Sequence, residues 1–207
     1  MASLDARQFA TLYKPGAKSP VVVDVPPLRF LQLDGVGDGG GETFQEAVGA
    51  LYGLAYPVKF ATKKALGLTY TVAPLEGLYW QDDDGHPVEF DPRDPSSLEW
   101  RLMIMVPDEV PGELVEEARE MVATKKNPPR LGDIRLQTFS EGTSVQVLHI
   151  GPYAAEAPTV ERLIAFAEAN RLEITGRHHE IYLGDPNRAA AEKLKTVLRY
   201  GVRKARG

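Results

Sequence analysis

The chain has 207 residues, 43% hydrophobic and 26% charged, with a net charge of −5. That is long enough for one large domain or two fused modules with a sizeable core. It has no cysteine, which excludes disulfide scaffolds, thiolate metal sites and cysteine nucleophiles.

The acidic balance argues against a dedicated nucleic-acid binder, whose phosphate contacts need surplus Lys and Arg. No apolar run approaches the ~18 residues of a membrane span. The start, with Asp5 and Arg7 and no apolar block, does not read as a secretory signal. A soluble cytoplasmic protein is expected, and the sequence fixes no oligomeric state, monomer or homodimer.

Residues 1–26 carry no sustained period and end in the Pro26-Pro27 pair; they read as an N-terminal arm. Leu28–Leu33 (LRFLQL) is a short apolar strand. A glycine cluster, Gly35 to Gly41, leads into a helix over about Glu42 to Tyr56, with Phe44, Ala47, Val48, Leu51 and Leu54 at three- and four-residue spacing. Two strands are expected next, Gly67–Leu75 (GLTYTVAPL) and, beyond an acidic loop, Trp100–Val106 (WRLMIMV). Gly112–Lys126 suits a connecting helix, with acids early and Lys125-Lys126 last. Arg135–Phe139 then pairs with the strand that follows.

The order strand, helix, strand, strand returns in the second half. Ser144–Ile150 is a strand, Pro158–Asn170 a helix with Val160, Leu163, Ile164 and Ala167 on one stripe, and Gly176–Leu183 and Leu194–Tyr200 supply two more strands. The expected fold class is α+β, a pseudo-repeat of two β-α-β-β units, with a groove between them as the default ligand site.

Several motifs weigh against common chemistries. Gly35-x-Gly37-x-x-Gly40 formally matches a dinucleotide fingerprint, but no acid occurs between Glu46 and Glu76 to hold a ribose, and Asp38 would repel a pyrophosphate. A flexible turn is the better reading, and no cofactor is expected. His86, His149, His178 and His179 lack helical metal spacing and there is no HExxH, so no metal is expected. The Asp82–Asp84 run lacks the spacing of a calcium loop. The basic end, Arg199, Arg203, Lys204 and Arg206, reads as a frayed, solvated terminus.

The strongest local pattern is His178-His179-Glu180-Ile181-Tyr182-Leu183. Side chains alternate along a strand, so Ile181 and Leu183 should pack under the helices while Glu180 and Tyr182 face the free side and the groove. Tyr79, Trp80 and Tyr153 are candidates to join them, with Trp100 or the Met103/Met105 pair. Trp100, Leu102, Ile104 and Val106 share one face of their strand, Arg101, Met103 and Met105 the other; the more mixed face suits the groove better. A carboxylate among rings either pairs with a flat cation or, desolvated, serves as a general acid or base.

The segments FLQLDGVGDG, LYGLAY, YTVAPLEGLYW, SVQVLHIGPY and HHEIYLGDPNRAAAEKLKTVLRY together resemble the GyrI-like small-molecule-binding family, which is related to the effector-binding domains of AraC- and MerR-type regulators. The resemblance implies two pseudo-two-fold-related β-α-β-β (SHS2-type) modules, about 27–108 and 132–202, joined by the helix over 112–126, with a central ligand cleft. It assigns the ligand-contacting acid to Glu180 and aromatic walls to Tyr79, Trp80, Trp100, Tyr153 and Tyr182. With about 27 residues before the first strand, the chain looks like a stand-alone member without a DNA-binding domain. LEGLYW and EIYL resemble a branch of cyclopropanoid cyclopropyl hydrolases, which implies water addition to cyclopropane-bearing DNA-alkylating compounds, with Glu180 activating water and Tyr182 or Tyr153 donating a proton. The partners implied are hydrophobic aromatic small molecules; the alternative is a non-catalytic drug-sequestering or effector-sensing module.

Overall fold

The structure is a computed structural model and describes residues 6–81, 98–184 and 188–205. In chain order its elements are α1 (Ala6–Tyr13), β1 (Val21–Val25), β2 (Leu28–Val36), α2 (Glu42–Leu66), β3 (Leu75–Trp80), β4 (Glu99–Val106), α3 (Gly112–Lys125), β5 (Arg135–Phe139), β6 (Gly142–Ile150), α4 (Ala157–Ala169), β7 (Leu172–Ile174), β8 (His178–Tyr182) and β9 (Lys195–Lys204). Strand, helix, strand, strand thus occurs twice, in a mixed α+β architecture. No helix among the described residues is long and apolar enough to cross a membrane. His86, the Asp82–Asp84 run, the rest of the acidic loop over 82–97, and Arg206 lie outside the described residues.

Contacts divide the described chain into two compact units, one of residues 28–75 and 98–139, the other of 6–27, 76–81 and 140–205. In the first, β2 runs antiparallel between β4 and β5, with Leu31 opposite Ile104 on one side and Leu136 on the other. Helix α2 packs on β2, β4 and α3. The glycine cluster closes on itself: the Asp38 carboxylate accepts a hydrogen bond from the Gly40 amide and the Asp38 carbonyl one from Gly41.

Several sequence expectations are corrected, and one is the pairing of Arg135–Phe139, which lies along β2 and not along the strand that follows it. Helix α2 does not stop at Tyr56 but runs through Pro57 to Leu66. Proline removes one helical hydrogen bond, yet Val58 and Thr62 beyond it are fully buried, and that packing outweighs one lost bond. Gly67, left-handed at φ 67°, then ends the helix with its amide bonded to the Lys63 carbonyl. The strand expected over Gly67–Leu75 instead runs Leu75–Trp80: threonines and tyrosine give 68–74 β propensity, but no ladder is offered there. Finally, the N-terminal arm contains α1 and β1, the latter paired with β6 from Val21↔Gln146 to Val25↔Gly142.

The second unit orders its strands β1-β6-β9-β8-β3, with β7 also pairing β9. Helix α4 buries Leu163 and Ala167 against Val145 and Val147 of β6 and Leu198, Tyr200 and Val202 of β9. Because directly opposed residues share a face, the register Glu180↔Leu198 puts Glu180 on the side that α4 covers. Ile181, opposite Val197, shares the other face with His179. The expectation that Ile181 packs under the helices and Glu180 faces a free side is therefore reversed. Alternation separated the two sets correctly; only cross-strand register decides which set meets the helix.

Candidate functional site

Strand β8 presents His178, Glu180 and Tyr182 on one face. Tyr200 on β9 donates its hydroxyl to Nδ1 of His178 at 2.8 Å, so Nε2 carries the hydrogen that Glu180 Oε1 accepts at 3.0 Å. This holds the Glu180 carboxylate still while leaving its side chain 15% exposed. The Tyr79 and Tyr182 hydroxyls bond each other, and the Tyr153 ring meets the Tyr182 ring edge-on at 5.6 Å. Gly77 makes room for this: a Cβ there would lie 2.7 Å from the Tyr79 hydroxyl.

Glu156, at the N-cap of α4, completes the group. Glu156, His178 and Glu180 each offer a ligand atom within 4.8 Å of the others. The residue is 7% exposed, and the Thr196 hydroxyl lies against its carboxyl and partly offsets the burial. A helix N-terminus favours an anion, but burial and then the charge of Glu180 push this carboxyl up to about 9. Glu156 is therefore a neutral acid at pH 7. Burial first, then Glu180, also holds the Tyr79 and Tyr182 hydroxyls well above their ordinary range. The face is one carboxylate, one carboxylic acid and phenols that keep their protons. It can accept a proton, donate one, and attract positive charge. A cation fits the donor set in number, although both His178 nitrogens are already engaged.

Of the residues expected from sequence, Glu180, Tyr182, Tyr79 and Tyr153 come together here. Trp80 does not, because neighbours on a strand alternate: its ring lies under the Arg177 guanidinium, 3.5 Å from centroid to charge, and is 8% exposed. Trp100, Met103 and Met105 belong to the first unit. There Trp100 is fully buried, its ring edge-on to Phe44 at 5.2 Å and its N–H donating to the Gly37 carbonyl. Met103 is buried and Met105 half-buried. Sequence reasoning missed Glu156: it precedes a helix as many surface acids do, and nothing local marks its burial.

The opposite face of β8 carries a second polar cluster. His179 donates from Nε2 to Glu76 at 3.0 Å and from Nδ1 to Glu141 at 3.0 Å. Tyr13 donates to Glu76 at 2.6 Å. Arg199 donates to Glu141 at 3.1 Å, to Gln146 at 2.9 Å and to the Leu12 carbonyl at 2.7 Å. Burial opposes charge on His179, but Glu141 and then Glu76 overcome it and push the imidazole up to about 9. Burial likewise opposes the Glu141 anion, and His179 and Arg199 still hold it down at about 2. Arg199, expected in a frayed terminus, is 1% exposed; it lies inside β9, and its guanidinium ties α1 to the sheet.

The comparisons agree with this architecture. Residues 18–200 match the GyrI-like small-molecule binding domain. No curated relative matches the chain. An uncharacterized conserved protein from Listeria innocua is similar over 95% of this chain and 98% of its own, with 35% identity and a TM-score of 0.86. A structure titled a hydrolase from Listeria innocua matches over 95% and 98%, at 34% identity and a TM-score of 0.82. The EcmrR C-terminal domain, at 18% identity, 90% and 98% coverage and a TM-score of 0.54, shares the fold. The chain belongs to the GyrI-like small-molecule binding family.

Proposed function

We propose that this protein binds flat, hydrophobic or cationic small molecules at the Glu180 face and hydrolyses cyclopropane-bearing, DNA-alkylating compounds, a detoxifying reaction. The observation that carries this is the pairing of a partly exposed, hydrogen-bonded carboxylate with the bonded Tyr79 and Tyr182 hydroxyls. The similarity to a Listeria innocua protein titled a hydrolase supports the enzymatic form. In a cyclopropane conjugated to a dienone, water oxygen bonds to the ring carbon as the strained C–C bond breaks. The electron pair passes to the carbonyl oxygen. Glu180 accepts the water proton, and Tyr182 or Tyr79 donates toward the developing phenolate. Ring faces hold the flat substrate near its reactive geometry.

The second reading is sequestration or sensing, which the same carboxylate among ring faces supports for flat cations without turnover. The two separate in one assay with a spirocyclopropane dienone. Wild type is expected to convert many equivalents to a product heavier by one water, and Glu180→Gln to lower turnover by about 10²–10⁴-fold. Stoichiometric binding with no mass change leaves only sequestration; absence of binding rejects the site.

A further inference from the structure

The assigned site leaves one group without a task. Glu156 is more than nine-tenths buried, and one of its carboxyl oxygens lies within 4.8 Å of ligand atoms of His178 and of a second carboxyl, Glu180. Two carboxyl groups this close and this dry do not both ionise readily, because like charges repel in a low dielectric. Such a pair holds one proton between them and titrates as a unit.

We propose that the free protein stores one proton on the Glu156–Glu180 pair and releases it when an organic cation docks beside the two carboxyls. The proposal rests on this face being the ligand site. In the free state Glu156 is the acid and Glu180 the base, and the pair carries a single negative charge. An arriving cation supplies the compensation that the proton had supplied: the Glu156 O–H bond breaks, its electron pair stays on the carboxylate, and the proton goes to solvent. The upward shift of Glu156 to about 9 agrees with a proton held at neutral pH and made removable by an added positive charge.

The groups facing Glu156 are consistent with this exchange. From β8 come His178, Glu180 and Tyr182, from β3 Tyr79, from β9 Thr196 and Tyr200, and from the turn before α4 Tyr153. Of these, His178 is the side chain able to carry positive charge, and its two nitrogens are engaged by Tyr200 and Glu180. Among the described residues, no Lys or Arg contributes to the electrostatics of Glu156. Four tyrosines around the carboxyls, and an imidazole already committed to both its partners, favour a flat organic cation over a metal ion.

The test uses the full chain and ethidium, a flat, permanently charged and fluorescent probe. Titration calorimetry at pH 8 in two buffers of different ionisation enthalpy counts protons released. More than about half a proton per bound ethidium is expected for wild type, with affinity rising several-fold between pH 7 and 9. Glu156→Gln, isosteric and permanently neutral, is expected to bind ethidium with no proton release and a flat pH profile. The infrared carbonyl band of a protonated carboxyl should be present in free wild type, absent in Glu156→Gln, and bleached by ethidium. Ethidium binding without proton release overturns the inference alone, as does the same release from Glu156→Gln. Failure of ethidium to bind overturns the site reading as well. Proton release on adding zinc chloride, with none on adding ethidium, overturns the organic-cation assignment.

Discussion

Arg199→Met is expected to lower the free energy of unfolding by about 3–5 kcal/mol, because it removes one partner of a buried charge network and leaves the other desolvated. Arg199 is 1% exposed and Glu141 has a 5% exposed side chain, so water cannot replace the lost contact cheaply. Methionine preserves volume, which separates the electrostatic loss from a cavity. Denaturant unfolding checks it, with an unchanged slope confirming that stability and not compactness moved. A loss below about 1 kcal/mol would mean that the guanidinium's desolvation cancels its attraction to Glu141.

The same network sets a pH window. Glu141 falls from an ordinary 4.5 to about 2, so its contribution is present above 4.5 and is lost as pH drops through 2. His179 rises from 6.5 to about 9, so its contribution is present below 6.5 and is lost as pH climbs through 9. Glu156 rises from 4.5 to about 9, so what it adds is greatest below 4.5 and declines toward 9. Below pH 4.5 the Glu141 loss dominates and above it the Glu156 loss, joined by His179 above 6.5. The three together place the stability maximum near pH 4.5, with a decline toward pH 9. A Tm series across pH 3 to 9 checks this. A maximum above pH 8 would contradict a protonated His179.

Gly35→Ala is expected to cost about 3 kcal/mol. A Cβ at Gly35 would stand 2.1 Å from the Trp100 ring, well inside contact distance. The strand cannot yield, since Gly35 pairs with Trp100 in the β2–β4 ladder. The ring cannot swing freely either, held by Phe44 and by its bond to Gly37. If overpacking is the cause, Trp100→Leu in the same chain should recover part of the loss, a coupling that a double-mutant cycle measures. Thermal and denaturant unfolding of the single and double variants check it; purely additive losses would place the Gly35 effect elsewhere.

Much of the fold was legible because its code is local. The doubled strand-helix-strand-strand order follows from apolar spacing, and period two alone put Glu180 and Tyr182 together and His178 opposite His179. What stayed hidden depends on contacts between distant segments. Glu76, Glu141, His179, Arg199 and Tyr13 share no motif and span most of the chain, so the buried ion network had no sequence signature. The strand at Leu75–Trp80 was misplaced for the same reason: propensity marks residues able to extend, while only a neighbouring strand decides which of them do.

The sequence by itself determined the alternation on β8, the helix stripes and the residue types able to bind a flat or charged ligand. Tertiary structure decided which face of β8 meets α4, that Tyr79 and not Trp80 joins Tyr182, and that Glu156 belongs beside Glu180. The physical reason is that alternation is fixed by backbone geometry one residue at a time. Burial and the approach of like charges exist only once strands are in register, and those two effects make Glu156 an acid at pH 7.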